Sequence, residues 1–505
     1  MNFYADLPSN LLHGMMTALE PMNLLLCTVG VTLGMLIGVI PGVGSLAAIA
    51  LLLPVTFHLE PAGALIMLAG VYYGANYGGS TAAILLNLPG TSSSAVACLD
   101  GYPMSKQGRG GIALLITAIA SFVGASLGIT LLIGFAPLIA SVGLQFGPAE
   151  YFSIVVLGLL AASAVSSGSV VKAIAMAGLG VAFGTIGLDT YTGAQRFTFG
   201  QVELFDGIDL VAIALALFGI SDVIASIRDN DNNPTTVRQK VTLRSMLPTR
   251  EDLRRSWPAI LRGSSIGSFL GPLPGTGATL ASFTAYALEK RLDRDPSRYG
   301  KGAIEGVAAP EAANNASDQT AFVPTLTLGI PGTPTMALML GALMIHGISP
   351  GPGFMTSNPD IAWGLIMSFW IGNLILLILN IPLVGVWVRV LSIPYHFLVP
   401  AIVIFVCVGT YSVSNSVFDV WMVLLFGAGG YLLRMLDCPV APLILGFVLG
   451  PMLEEEFRRA MLISRSELMI FVERPISASF LGLAAAILLW GLFSKWRSTA
   501  LSRAE

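Results

Sequence analysis

The sequence predicts an all-α polytopic membrane protein with two inverted repeats, each bearing a re-entrant Pro-Gly hairpin and a broken helix. Three observations predict it. Only 11% of the 505 residues are charged and 54% are hydrophobic, with a mean hydropathy of +0.78, so ionic side chains are too few to cover a water-facing surface. Glycine and proline, 56 and 29 in number, fall in a near-repeat of motifs. The Lys and Arg residues flank one copy of that repeat and are absent from the equivalent loops of the other.

The first observation places the chain in lipid. Apolar runs of about 20 residues, enough to cross roughly 30 Å of hydrocarbon, recur along its length. Examples are Gly111 to Leu132, Ile208 to Ile227, Ile361 to Val388 and Ile476 to Trp490. Residues 1–29 form an N-terminal segment whose lack of Lys and Arg, the first being Lys106, gives no basic region of a cleavable signal peptide. Insertion is expected to rely on the first apolar segments.

The second observation divides the rest of the chain. Gly38-Val39-Ile40-Pro41-Gly42-Val43-Gly44-Ser45 returns as Gly271-Pro272-Leu273-Pro274-Gly275-Thr276-Gly277-Ala278, and Leu88-Pro89-Gly90-Thr91-Ser92 returns as Ile330-Pro331-Gly332-Thr333-Pro334. Between them, Gly70-Val71 with Ala75-Asn76 is matched to Gly306-Val307 with Ala313-Asn314. Residues 30–100 are thus the first repeat, 101–227 spanning helices, 228–262 a basic loop and 263–346 the second repeat. Residues 347–494 are C-terminal spanning helices and 495–505 a tail.

The third observation gives orientation. Arg228 to Arg262 holds eight of the 26 Lys and Arg residues and Lys290 to Lys301 holds five, which marks both stretches as cytoplasmic. The intervening Gly263 to Glu289 is too short for two crossings and reads as a re-entrant hairpin with Pro274 to Gly277 at its tip. The equivalent loop in the first copy, His58 to Pro61, has no Lys or Arg; Lys106 and Arg109 follow the first copy, whereas Gly347 to Asp360 has none. Reversed bias means opposite sides, as in many secondary transporters. Glu454 to Arg474, with four Arg, and the tail with Lys495, Arg497 and Arg503 are separated by one span, so they face opposite sides. The tail is expected to be cytoplasmic, with the glutamates of 454–474 pairing the arginines beside them.

Interrupted backbone at membrane depth survives only where protein or a watery cavity receives the freed groups. A half-helix starting after a Pro-Gly break points unpaired N–H groups and a positive dipole end at the gap, which suits an anion; carbonyls at a half-helix end suit a cation. The breaks are Pro41-Gly42, Pro89-Gly90, Pro274-Gly275 and Pro331-Gly332, and the alternative is that each merely kinks a structural helix. The candidate substrate- and ion-binding residues around them are Gly44, Ser45, Thr91 and Ser92 in the first copy and Thr276, Gly277 and Thr333 in the second, with Na⁺ near the hairpin tips. Between the breaks, Asn76, Gly79, Ser80, Thr81 and Asn87, and then Glu311, Asn314, Asn315 and Asp318, extend the list, because polar groups at membrane depth line cavities or pair. Glu311 and Asp318 are read as cation ligands or proton carriers, or else as part of a solvated loop.

Other chemistries find little support. A net charge of −3 without a basic stripe offers nothing to nucleic acid. Cys27, Cys98, Cys407 and Cys438 lack metal spacing, and His13, His58, His346 and His396 are scattered. Asp100, Glu150, Asp189, Asp206 and Asp222 lie at segment ends and read as capping groups. No cofactor motif, G-x-S-x-G elbow, H-E-x-x-H helix or Walker loop occurs, and no enzymatic activity is expected. The alternatives are an intramembrane enzyme on a lipid-linked substrate, for which Glu311 and Asp318 are the only acid or base candidates, and a passive channel, which lacks rings of like charge.

The string Gly38 to Gly44, the run Tyr72-Tyr73-Gly74-Ala75-Asn76-Tyr77-Gly78-Gly79-Ser80-Thr81, and Ala309-Pro310-Glu311-Ala312-Ala313-Asn314-Asn315-Ala316 leading to Leu328-Gly329-Ile330-Pro331-Gly332 resemble the large membrane subunit of the bacterial tripartite tricarboxylate transporters. The resemblance implies a multi-pass inner-membrane secondary carrier that imports a di- or tricarboxylate such as citrate by symport with Na⁺. It implies two partners, a small four-helix membrane subunit and a periplasmic solute-binding protein. It also implies an elevator-like division into a transport domain, bearing both repeats, and a scaffold domain.

Overall fold

The computed structural model describes residues 6–40, 44–166, 169–189, 191–221, 223–225, 243–273, 275, 277–390 and 395–501. Among these the chain is helical almost throughout. The exception is a two-stranded antiparallel ribbon pairing Gly187–Leu188 with Gln195–Arg196. Four helical segments are long and apolar enough to cross a bilayer: Pro21–Val39, Ala95–Gly143, Pro359–Asn380 and Val417–Met435. This agrees with a multi-pass membrane fold.

Two stretches share one construction. In the first, helices Pro21–Val39 and Gly44–Thr56 form a hairpin, followed by helix Pro61–Leu86. In the second, Arg250–Leu270 and Gly277–Leu292 form the hairpin, followed by Glu305–Thr320 and its continuation Phe322–Leu328. Glycines on each first arm fit against carbonyls of each third helix. A Cβ on Gly30, Gly34 or Gly38 would sit 2.1–2.3 Å from the carbonyl oxygen of Met67, Val71 or Ala75. On Gly263, Gly267 or Gly271 it would sit 2.1–2.5 Å from that of Ala309, Ala313 or Ser317. Backbone touches backbone in both, the close approach that small residues permit in membranes.

The third helices end alike. Asn87 caps one at φ 60°, Gly329 caps the other at φ 70°, and Pro-Gly follows each. Counting back from these left-handed residues corrects the central sequence match: Asn76 corresponds to Asp318, and Tyr72 to Asn314. The extra residues of the second stretch fall in the loop before Glu305, because an uninterrupted helix fixes the spacing of everything on it. Glu311 and Asp318 accordingly lie on a buried helix and not in a solvated loop.

The ends of the molecule are set by helix lengths. Helix Arg250–Leu270 starts at a capping box, in which Thr249 Oγ1 accepts from the Asp252 N–H and the Asp252 carboxylate accepts from the Thr249 N–H. Arg109 reaches the same carboxylate at 2.5 Å. Helix Gly110–Gly143 leaves from there and is about 51 Å long at 1.5 Å per residue, so Gly147 lies at the far end. There Glu150 accepts from the Gly147 N–H and pairs with Arg474 at 2.9 Å. The 454–474 region is therefore opposite Arg109, and helix Pro475–Leu501 leads back. Arg458 and Arg459 do pair with Glu454, Glu455 and Glu456, but Arg474 takes Glu150 in place of a local glutamate.

Three of the predicted capping acids, Asp100, Glu150 and Asp189, accept backbone N–H groups. Asp100 accepts from the Gly302 and Ala303 N–H groups, and Asp189 from those of Tyr191 and Thr192. Asp222 and residues 228–242 of the basic loop lie outside the described residues.

Candidate functional site

The helix starts that succeed the interruptions converge. Gly44, which opens the second arm of the first hairpin at φ 69°, lies beside the Gly90 carbonyl. Gly277, its counterpart at φ 55°, lies beside Thr333, and the Gly275 N–H donates to the Gly332 carbonyl at 2.8 Å. Positive φ at these glycines turns the chain sharply enough for each second arm to start beside the other break. Between the two hairpins and the two Pro-Gly turns lies a cavity of about 770 Å³.

Of the predicted residues, Gly44, Ser45, Asn76, Pro89, Gly90, Thr91, Ser92, Gly275, Gly277, Asp318 and Thr333 line this cavity. Pro41, Gly42, Pro274 and Thr276 lie outside the described residues. Ser92 Oγ and Thr279 Oγ1 meet at 2.9 Å across the gap between the two stretches. Thr91 is held by its turn, its N–H donating to Ser94 Oγ at 3.1 Å. Thr333 caps helix Pro334–Ile345, its Oγ1 accepting from the Met336 N–H.

Asp318 is the only carboxylate on the cavity wall among the described residues, and no Lys, Arg or His lines it. The Tyr72 hydroxyl and the Asn76 amide donate to its two oxygens. Both donors come from helix Pro61–Leu86, so this charge is held jointly by the two stretches. All three side chains are buried.

The remaining predicted residues sit behind the wall. Glu311 does not reach the cavity: Ser80 Oγ donates to one oxygen at 2.8 Å, while Ser121 Oγ lies 3.5 Å from the other and accepts from the Asn315 amide at 2.7 Å. Gly79 packs on Thr91, and Thr81 bonds the carbonyl one turn back. Asn87 is an exposed cap, and Pro331 and Gly332 shape the turn without lining the cavity. Asn314 is 1% exposed, and neither of its amide atoms has a hydrogen-bond partner.

Several lining residues were not foreseen as part of the site. Tyr72, Thr279 and Thr335 carried a signal, since each is polar and close to a motif. Ser166, Phe218, Phe283 and Ala441 carried none: Ser166, Phe218 and Ala441 come from helices outside both stretches, and only tertiary packing brings them in.

A multi-pass helical chain enclosing a cavity where interrupted helices meet, lined by hydroxyls, an amide and one carboxylate among other residues, belongs to the class of membrane transport proteins. Residues 24–445 match the tripartite tricarboxylate transporter TctA family, and the chain belongs to it: it is a subunit of a tripartite tricarboxylate transporter, a transport component and not an enzyme. It is 51% identical over 493 residues, 98% of either chain, to an Agrobacterium vitis protein described as an uncharacterized 52.8 kDa protein in the TAR-I ttuC' 3' region. A second A. vitis protein, described as uncharacterized and from the TAR-II ttuC' 3' region, is 55% identical over 232 residues, 46% of this chain and 96% of that one. No solved structure matches.

Proposed function

We propose that this subunit is a secondary carrier of the bacterial inner membrane that imports a di- or tricarboxylate such as citrate by symport with Na⁺. The observation that carries the reading is the cavity in which interrupted helices from both stretches meet around one carboxylate and, among the described residues, no cationic side chain. The N-terminal turns of Gly44–Thr56 and Gly277–Leu292, with the hydroxyls of Ser45, Thr91, Ser92 and Thr279, supply donors for an anion. A di- or tricarboxylate held there sits near Asp318, and like charges in a desolvated site repel strongly. A co-bound cation removes that repulsion. Carboxylate, amide and hydroxyl oxygens, the donors present, are hard ligands suited to an alkali cation.

The two stretches are read as inverted repeats, with Arg109, Asp252 and Arg298 at the cytoplasmic end. Both would move as a transport domain against a scaffold that includes the helices after Pro359. The tripartite name agrees with two further components, read as a small four-helix membrane subunit and a periplasmic solute-binding protein that delivers the substrate to the end marked by Glu150 and Arg474. Reconstitution in liposomes with those two proteins should give carboxylate uptake that collapses without a Na⁺ gradient. Uptake of equal rate with no ion gradient overturns the coupling.

A further inference from the structure

We infer that Asn314 and Ser317, together with the Asp318 carboxylate, form a buried Na⁺ site directly behind the cavity wall; this rests on the Na⁺-coupled function proposed for the subunit. The starting point is unpaired polarity. Asn314 Oδ1 and Nδ2 and Ser317 Oγ are all buried without a hydrogen-bond partner, on residues 1% and 0% exposed. Buried amides are otherwise satisfied almost without exception, and one left unpaired is costly, so such a group signals an ion or water that it serves.

Helical geometry locates the group. At about 100° per residue, Ser317 lies about 60° to one side of Asn314 and Asp318 about 40° to the other. The Ser317 side of the helix faces the second hairpin. Ser282 Oγ donates to the Pro310 carbonyl at 3.2 Å, and the Cα hydrogens of Gly271 lie against the Ser317 backbone. The Asp318 side faces Tyr72 and Asn76. Asn314 therefore points between the carbonyl end of helix Arg250–Leu270 and the Asp318 carboxylate. That end of a helix carries negative partial charge, so both neighbours favour a cation. Each Asp318 oxygen accepts one bond in the structure and keeps a lone pair.

The site is single. In the first stretch the positions corresponding to Asn314, Ser317 and Asp318 are Tyr72, Ala75 and Asn76. The Tyr72 hydroxyl and the Asn76 amide nitrogen already donate to Asp318, and Ala75 offers no ligand. One such site beside one cavity places the cation where it offsets the charge of Asp318 and of an anionic substrate together.

The test is a Na⁺ titration of the melting temperature of the purified full-length chain in detergent, at ionic strength held constant with choline. Wild type should show a saturable rise. Asn314→Ala should raise the half-saturating Na⁺ concentration at least tenfold. Ser317→Ala, which deletes a hydroxyl with no partner and so disturbs folding little, should raise it several-fold. A merely structural role would move the Na⁺-free melting temperature and leave half-saturation in place. A saturable rise in wild type with unchanged half-saturation in both variants overturns the assignment and leaves the amide to a buried water. Absence of any Na⁺ effect in wild type, joined to uptake without Na⁺, overturns the coupled reading as well.

Discussion

Replacing Gly34 with Ala tests whether the cavity depends on the backbone contact beneath it. The new Cβ would stand 2.3 Å from the Val71 carbonyl oxygen and 2.7 Å from Val71 Cα. An ordinary carbon–oxygen contact needs about 3.3 Å, so helices Pro21–Val39 and Pro61–Leu86 must part by about 1 Å. Neither neighbour is a flexible side-chain tip that can swing aside. Overpacking of this kind costs about 1–3 kcal/mol, against which the better helix propensity of Ala returns at most about 1 kcal/mol. The same displacement carries Asn76, on the next turns of Pro61–Leu86, away from Asp318. Thermal unfolding in detergent, read beside carboxylate uptake in liposomes, should therefore show both quantities reduced. Gly134→Ala is the control: nothing lies within 4 Å of the added methyl, so it should be neutral or stabilising by about 0.5–1 kcal/mol. Equal melting temperatures and uptake for the two variants would refute the argument.

Three more outcomes rest on named contacts. Gly275 has φ 79°, and a Cβ there would sit 2.6 Å from Ala162 Cα, so Gly275→Ala should abolish uptake; Gly347, at φ 72° with nothing nearby, should tolerate Ala for about 1 kcal/mol, and uptake assays distinguish them. Removing both hydroxyls that meet at 2.9 Å, in Ser92→Ala with Thr279→Ala, should raise the KM for the carboxylate by roughly 5- to 150-fold, at about 0.5–1.5 kcal/mol each; an unchanged KM removes them from the substrate site. The backbone N–H groups of Thr192 and Tyr191, and then Arg458, hold the Asp189 carboxyl at about 2, below its ordinary 3.8. Its contribution to stability is thus complete above pH 3.8 and lost as pH falls towards 2, and Asp189→Asn should flatten that part of a melting-temperature profile against pH.

How far the sequence disclosed all this depends on what kind of signal each feature leaves. Lipid as solvent and the broken helices were legible, because charge scarcity and Pro-Gly pairs each arise from a constraint that acts locally; the start of the second hairpin was not, since helix Arg250–Leu270 begins within the charged stretch 228–262 read as a loop. The match between Asn76 and Asn314 was off by one helical turn. Two apolar, glycine-rich helices align comfortably in several registers, and only the left-handed caps Asn87 and Gly329 fix the right one. Glu311 and Asp318 looked equivalent in sequence, two carboxylates on one polar run. About 700° of helical rotation separates them by only about 20° in azimuth but by about 10 Å along the axis, and that rise puts one against Ser80 and the other on the cavity. Ser166, Phe218 and Ala441 left no trace at all, since nothing local distinguishes a cavity-lining residue on a distant helix from any other small or apolar one.

The placement of Asp318 joins these observations to mechanism. Its carboxylate is held by a tyrosine and an asparagine from the other stretch, so any movement of one stretch against the other would break the bonds that orient the charge. The glycine contacts oppose such movement: Gly30, Gly34 and Gly38 lock the first hairpin to the helix bearing Tyr72 and Asn76, and Gly263, Gly267 and Gly271 lock the second to the helix bearing Asp318. The cavity is consequently a property of both stretches together. On the carrier function proposed for this subunit, access from alternate sides would come from displacement of this paired unit against the surrounding helices, whose small contributions to the wall, Ser166, Phe218 and Ala441, are the contacts such a displacement would exchange.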